Sequence, residues 1–263
     1  MTFIKVLWTE TLKLKRSSMI WISVLFYAFF ALMAWFVFWM LKNPEAARRL
    51  GLIGQKASFA MNGLTADWPG LFTMFAELGV AGGMILLSII VIYLFGREYV
   101  DGTAKNMLAL PVPRAYFVSG KLLVAAIWYA LLTALLMAEA VVVGKILGLG
   151  TPPAGLVASE CGNMIVAAVL VLALQPLVAW VTVLSGGYLA PFGYTIATLL
   201  IGNLMIRTDW ARWCPWSIVA LLGGLAGPRQ EGVLLGSGLV LAATFAIGVA
   251  LTILHQATAD NCQ

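Results

Sequence analysis

The sequence predicts an all-α integral membrane protein, with six transmembrane helices preceded by an N-terminal amphipathic helix at the interface. Three observations carry this reading. The chain has 263 residues, of which 62% are hydrophobic and only 10% charged, whereas a soluble domain carries about 25% charged residues. Its mean hydropathy is +0.97. Its apolar residues also gather into six runs, each near the ~20 residues needed to cross a hydrocarbon core. A water-soluble enzyme is excluded on these values. So is a disordered chain, which needs low hydrophobicity and high charge. Residues 1–263 read as one transmembrane domain.

Residues 1–17 form the interfacial helix. Phe3, Ile4, Leu7, Trp8 and Thr11 fall on one face, with Lys5, Thr9, Lys13 and Arg16 on the other. Such a helix lies in the interface plane beside anionic lipids; the alternative is a topology signal with no further role. The spans cover about Met19–Leu41, Leu71–Phe95, Leu122–Val143, Cys161–Leu184, Tyr188–Ile206 and Val233–His255. The first run is too long for a signal-peptide core and reads as an anchor that stays. Residues 43–70 open on Pro44, which suits the first turn of a short helix. Gly186-Gly187 makes a tight hairpin between the fourth and fifth spans. Pro176 sits inside the fourth span beside Gln175, tolerated where neighbours satisfy the freed carbonyl. Residues 207–232, with Trp210, Trp213 and Trp216, suit an interfacial segment at the outer mouth. The pairs Gly79/Gly83 and Gly232/Gly236 allow close helix approach.

The net charge is +5. The basic residues sit between apolar runs, so lipid headgroups and topology explain them, and no nucleic-acid partner is implied. Six spans place both termini on one side. That side carries Lys5, Lys13, Lys15, Arg16, Arg97, Lys105, Arg114 and Lys121. The other carries Lys42, Arg48, Arg49, Lys56, Lys145, Arg207, Arg212 and Arg229. The count is a tie. The N-terminal cluster breaks it, because the first span usually dominates, and puts both termini in the cytoplasm.

Several chemistries are missing. Cys161, Cys214 and Cys262 are scattered and odd in number, which argues against a disulfide framework or a zinc cluster. One histidine, His255, builds neither a metal site nor a hydrolase, and HExxH and GxSxG do not occur. No GxxxxGK[ST] loop is present: before Gly120-Lys121 the first glycine position holds Ala115, and Leu122 follows the lysine. No catalytic or metal residue is therefore expected, and energy comes from another chain or an ion gradient.

Residues 96–121 are the one cytoplasmic loop with content. Gly102 supplies a turn of either hand. Thr103 is an N-cap candidate for a short helix over residues 104–110, which Pro111 would end. The order Glu98-x-x-x-Gly102-Thr103, a short apolar helix, Pro111-x-x-Arg114 and Gly120-Lys121 resembles the permease subunits of ABC-2-type transporters. Glu10-x-x-Lys13-Leu14-Lys15-Arg16-Ser17 before the first span is similar to them too. In particular, the chain resembles the small six-span permeases of bacitracin-type and lantibiotic-immunity exporters.

The resemblance implies an ABC-2 exporter fold in a bacterial cell membrane. It implies pairing with a second, identical or different, permease. It implies docking of a cytoplasmic ATP-binding-cassette ATPase, which would hold the ATP and Mg²⁺; no cofactor belongs to this chain. Glu98, Gly102, Thr103, Pro111 and Arg114, with Arg97 and Lys121 in the same elbow, would form or shape the coupling surface. The alternative is that Gly102 and Pro111 only end helices while Arg97, Arg114 and Lys121 anchor headgroups. The implied cargo is amphipathic, such as a peptide antibiotic.

Glu77, Glu139 and Gln175 are polar candidates inside apolar runs. Intramembrane acids are costly and are functional candidates by default. Glu77, about six residues or ~9 Å into its span, and Glu139 lie toward the outer ends. They would line a substrate route, or reach water, with Lys145 as a partner for Glu139. They are also the residues an ATPase-independent ion- or proton-coupled carrier or channel would use.

Overall fold

A computed structural model describes residues 3–51, 65–103, 112–222 and 234–258. Those residues form helices only: α1 (Phe3–Lys15), α2 (Met19–Lys42), α3 (Pro44–Arg49), α4 (Trp68–Val100), α5 (Arg114–Ile146), α6 (Ala154–Ser185), α7 (Leu189–Met205), α8 (Pro215–Leu222) and α9 (Leu234–Thr258). Five of them, α2, α4, α5, α6 and α9, are long and apolar enough to cross a membrane. The fifth predicted span, α7, is an apolar helix of 17 residues, a rise of about 25 Å.

The apolar runs place the helices but understate their length. α4 starts at Trp68, not Leu71, because Asp67 caps it by accepting from the Gly70 amide at 2.9 Å and a proline occupies the first turn. Glu77 therefore lies nine residues into its helix, about 13 Å rather than 9 Å. α4 and α5 also run past their apolar stretches to Val100 and from Arg114. α3 begins on Pro44 as expected. α6 ends at Gly186, which takes a left-handed conformation (φ +60°), and the hairpin to α7 follows. The helix expected over 104–110, Pro111 and Gly232 lie outside the described residues.

α4 is the central helix. Leu71, Phe75, Leu87, Ile90, Val91 and Leu94 are fully buried, and α4 packs on α2, α5, α6 and α7. Close approaches are made at glycines. A Cβ on Gly83 would meet the Tyr129 side chain, and one on Gly79 would lie 3.2 Å from Leu136, so this pair seats α5 on α4. At Gly248 a Cβ would lie 2.7 Å from the Leu177 amide nitrogen. This lets α9 reach the backbone beside Pro176, where Thr252 donates to the Pro176 carbonyl at 3.4 Å. α9 starts beside 206–214, since Ser237 donates to the Arg212 carbonyl at 3.1 Å. It then descends to the level of Pro176 and ends on the same face as α1.

α1 packs on the bundle by a stripe that adjoins its predicted apolar face. Ile4 and Trp8 are 75% and 67% exposed, and the packed stripe is Val6, Glu10 and Leu14. The stripe keeps the i, i+4, i+8 spacing, but an acid occupies its centre.

The glycine contacts give a direct test. Gly248→Ala is expected to lower stability by about 1–3 kcal/mol, because the new methyl meets backbone that cannot turn aside. Gly193→Ala has open space around its Cβ and is expected to be neutral or stabilising, since alanine favours helix by about 1 kcal/mol. Thermal unfolding of both variants in detergent measures the contrast.

Candidate functional site: a buried ion cluster joining three helices

The candidate site lies where α1 crosses the last turns of α4 and the first turns of α5. Apolar contacts set the crossing. The rings of Phe3 and Tyr116 meet edge to face at 5.7 Å. Val6 packs with Val112 and Phe117 in a small cluster of its own. Gly120 lets Val6 approach, since a Cβ there would sit 3.3 Å from the valine methyl. Leu14 reaches the main core. Between these contacts Glu10 points into the cleft between α4 and α5.

Four charges meet there. The Lys121 ammonium donates to the Leu94 carbonyl at 2.8 Å, to Glu98 Oε1 at 2.8 Å and to Glu10 Oε2 at 3.0 Å. An ammonium has three protons, and all three are used. Lys13 donates to Glu10 Oε1 at 2.6 Å and to Glu98 Oε1 at 2.9 Å. Two acids face two lysines, so the cluster is neutral. Lys121 is 1% exposed, Glu10 1% and Glu98 6%. Removing such charges from water costs several kcal/mol per ion and is offset only where every donor and lone pair finds a partner. Lys121 also lies 5.8 Å from the Phe95 ring centre, within cation–π range.

The electrostatics follow from that packing. Burial pushes the Glu10 carboxyl up, but Lys121 and Lys13 outweigh it and hold it below the ordinary carboxylate value of 4.5. Burial pushes the Lys13 ammonium down, but Glu10 and Glu98 outweigh it and hold it above its ordinary 10.5.

The elbow residues divide into three groups. Glu98 and Lys121 face inward and belong to the cluster. Gly102 and Thr103 end α4: Gly102 sits at φ +67° and donates to Tyr99, while the Thr103 amide donates to the Glu98 carbonyl at 2.9 Å. This is a Schellman closure, and it ties the backbone of Glu98 as firmly as its side chain. Arg97, half-buried, lies over the Tyr93 ring at 5.4 Å, and half-buried Arg114 opens α5. Asp101, Gly102, Thr103 and Pro113 remain exposed. Glu10 and Lys13 were legible only as part of a motif. Nothing in the sequence of α1 alone shows that Glu10 is buried.

The intramembrane polar residues are placed apart from this site. Gln175 is buried, accepts from Ser88 at 3.2 Å and donates to the Val171 carbonyl at 3.2 Å, so it links α6 to α4. The Tyr129 hydroxyl donates to the Gly79 carbonyl at 3.4 Å. Glu77 and Glu139 are joined by no hydrogen bond or ion pair among the described residues, and the pairing of Glu139 with Lys145 does not form there.

Two outcomes follow from the cluster. Lys121→Met leaves two buried carboxylates sharing the single charge of Lys13 and is expected to destabilise the fold by about 3–5 kcal/mol. Adding Glu10→Gln restores charge balance and is expected to recover part of that loss. Lys13, 26% exposed on its side chain, is expected to cost only about 1 kcal/mol or less when changed to alanine. Thermal unfolding of the four proteins measures all three effects. The pH dependence has a definite sign. Glu10, depressed in the fold, contributes stability that is complete above 4.5 and is lost as pH falls through its lower folded value. Lys13, raised in the fold, contributes stability that is complete below 10.5 and is lost as pH rises through its higher folded value. Amide-exchange protection of α1 is therefore expected to be flat between about pH 6 and 9 and to collapse only at the acid and alkaline extremes.

Comparison with known proteins bears on what this arrangement is for. Residues 6–202, which include most of α1 and the whole cluster, match the model of the ABC-2 family transporter protein. Among curated proteins, the bacitracin transport permease protein BCRB of Bacillus licheniformis is 30% identical over 175 residues, which is 66% of this chain and 83% of that protein. A multi-pass helical bundle carrying that match is a transport permease, and the chain belongs to the ABC-2 transporter family.

Proposed function

We propose that this chain is the membrane half of an exporter, driven by a separate cytoplasmic ATP-binding-cassette ATPase that docks on the face carrying α1. The observation that carries the reading is the four-charge cluster. It ties a helix lying outside the bundle to the ends of the two helices that flank the elbow, so a push on one of the three is delivered to all. Coupling of this kind requires contacts that differ between two states. The exposed residues Asp101, Gly102 and Thr103 and the half-buried Arg97 and Arg114 offer those contacts, while Glu98 and Lys121 position them from behind. ATP and Mg²⁺ would be handled by the partner chain. α7 would be the sixth span, giving two cytoplasmic termini in a bacterial cell membrane, and a second permease would complete the pathway. The family likeness to a bacitracin permease supports an amphipathic peptide antibiotic as cargo; that step rests on relationship alone.

The test is affinity purification in mild detergent, beside Asp101→Lys and Arg114→Glu. An ATPase subunit is expected to co-purify with the wild type and to fall at least about tenfold in the variants, as loss of one or two charged contacts implies. Co-purification unchanged in both variants would place the docking surface elsewhere. No ATPase at any detergent strength would remove the exporter reading.

A further inference from the structure

At the membrane face opposite the cluster, the chain turns between α7 and α8 through residues 206–214. α7 starts beside the cluster end of α4, where Tyr188 lies against Gly96, and it carries the chain about 25 Å away. The turn is held in place. The Thr208 amide donates to the Met205 carbonyl at 2.9 Å, and the Ala211 amide to the Thr208 carbonyl at 3.1 Å. Ser237 of α9 donates to the Arg212 carbonyl at 3.1 Å, and Ser217 of α8 to the Gly202 carbonyl at 3.1 Å. Ala211 is buried beneath it.

Around this fixed turn Arg207, Thr208, Asp209 and Arg212 line a pocket of about 330 Å³ whose floor is Leu221 and Ala211. It holds two guanidinium groups and one carboxylate. Among the described residues no ion pair engages Arg207 or Arg212; Arg212 reaches only the Asp209 carbonyl, at 3.5 Å. The pocket is therefore a concavity of net positive charge, its polar side chains exposed on a turn whose backbone is held in place. Trp210 and Trp213 flank it and are 70% and 58% exposed. Exposed tryptophans at the end of a span mark headgroup depth.

We propose that this pocket binds a phosphate group, taken from the headgroup of a phospholipid in the leaflet on that side. Two arginines on a rigid turn suit a phosphate better than lysines would, because the planar fork meets two oxygens at once. The tryptophans set the depth at which such phosphates lie. A free phosphate or phosphorylated solute presents the same chemistry from the water side.

The experiment uses the full chain in nanodiscs and native mass spectrometry of retained lipid. Discs contain phosphatidylglycerol, or a galactosyl diacylglycerol that has no phosphate. The wild type is expected to retain phosphatidylglycerol over the phosphate-free lipid. Arg207→Ala/Arg212→Ala is expected to weaken that preference at least about tenfold, since both arginines that hold the phosphate are lost. Arg207→Lys/Arg212→Lys keeps the charge and removes the fork, and is expected to lose several-fold; it decides the matter if the alanine variant does not fold. Displacement of the retained lipid by millimolar inorganic phosphate would assign the site to a soluble phosphate. Equal retention of both lipids, or retention unchanged in the arginine variants, would overturn the proposal.

Discussion

A lysine ammonium in a dry site must find three acceptors and a balancing negative charge, and Lys121 meets both requirements by drawing three helices together. Its acceptors come from α1, from the side chain of Glu98 and from the backbone of α4. Removing either carboxylate leaves the two lysines with one balancing charge, so α1, α4 and α5 are held as a unit. The amphipathic helix is attached both by that constraint and by the apolar contacts of Phe3, Val6 and Leu14 that flank it.

The membrane part of the bundle is organised by close approach instead of by charge. α4 is buried on most sides. α5 reaches it at Gly79 and Gly83, and α9 reaches the backbone beside Pro176 at Gly248. Gln175 and Ser88 add one buried hydrogen bond between α6 and α4. A rigid core of this kind passes displacement at one end to the other without deforming, as packed interiors do. The ion cluster joins α1, α4 and α5 at one face, and the turn at 206–214 on the other is held by α7, α8 and α9.

Much of the fold is legible in the sequence because lipid imposes a length and a polarity on each span. The six apolar runs locate every long helix, and Gly186 and Pro44 mark where helices end and begin. The helix ends are less legible. Asp67 and a following proline start α4 three residues early, and α4 and α5 continue into charged sequence because Glu98 and Lys121 are satisfied inside the protein. Helical periodicity groups the apolar and the basic residues of α1 but leaves Glu10 unplaced, since the partner that buries it lies 111 residues away. The motif likeness found Glu98 and Lys121 as residues of interest. Their inward direction is a tertiary fact that no spacing encodes.

The central claim is that the ion cluster holds α1 against the membrane helices. Spin labels at the exposed positions Thr11 of α1 and Ser119 of α5, read by pulsed dipolar spectroscopy in lipid nanodiscs, test it most directly. A single narrow distance distribution is expected in the otherwise wild-type chain, broadening widely when Lys121 is replaced by methionine and narrowing again when Glu10→Gln is added. A narrow distribution that is indifferent to Lys121→Met would show that apolar contact alone fixes α1, and would contradict the account.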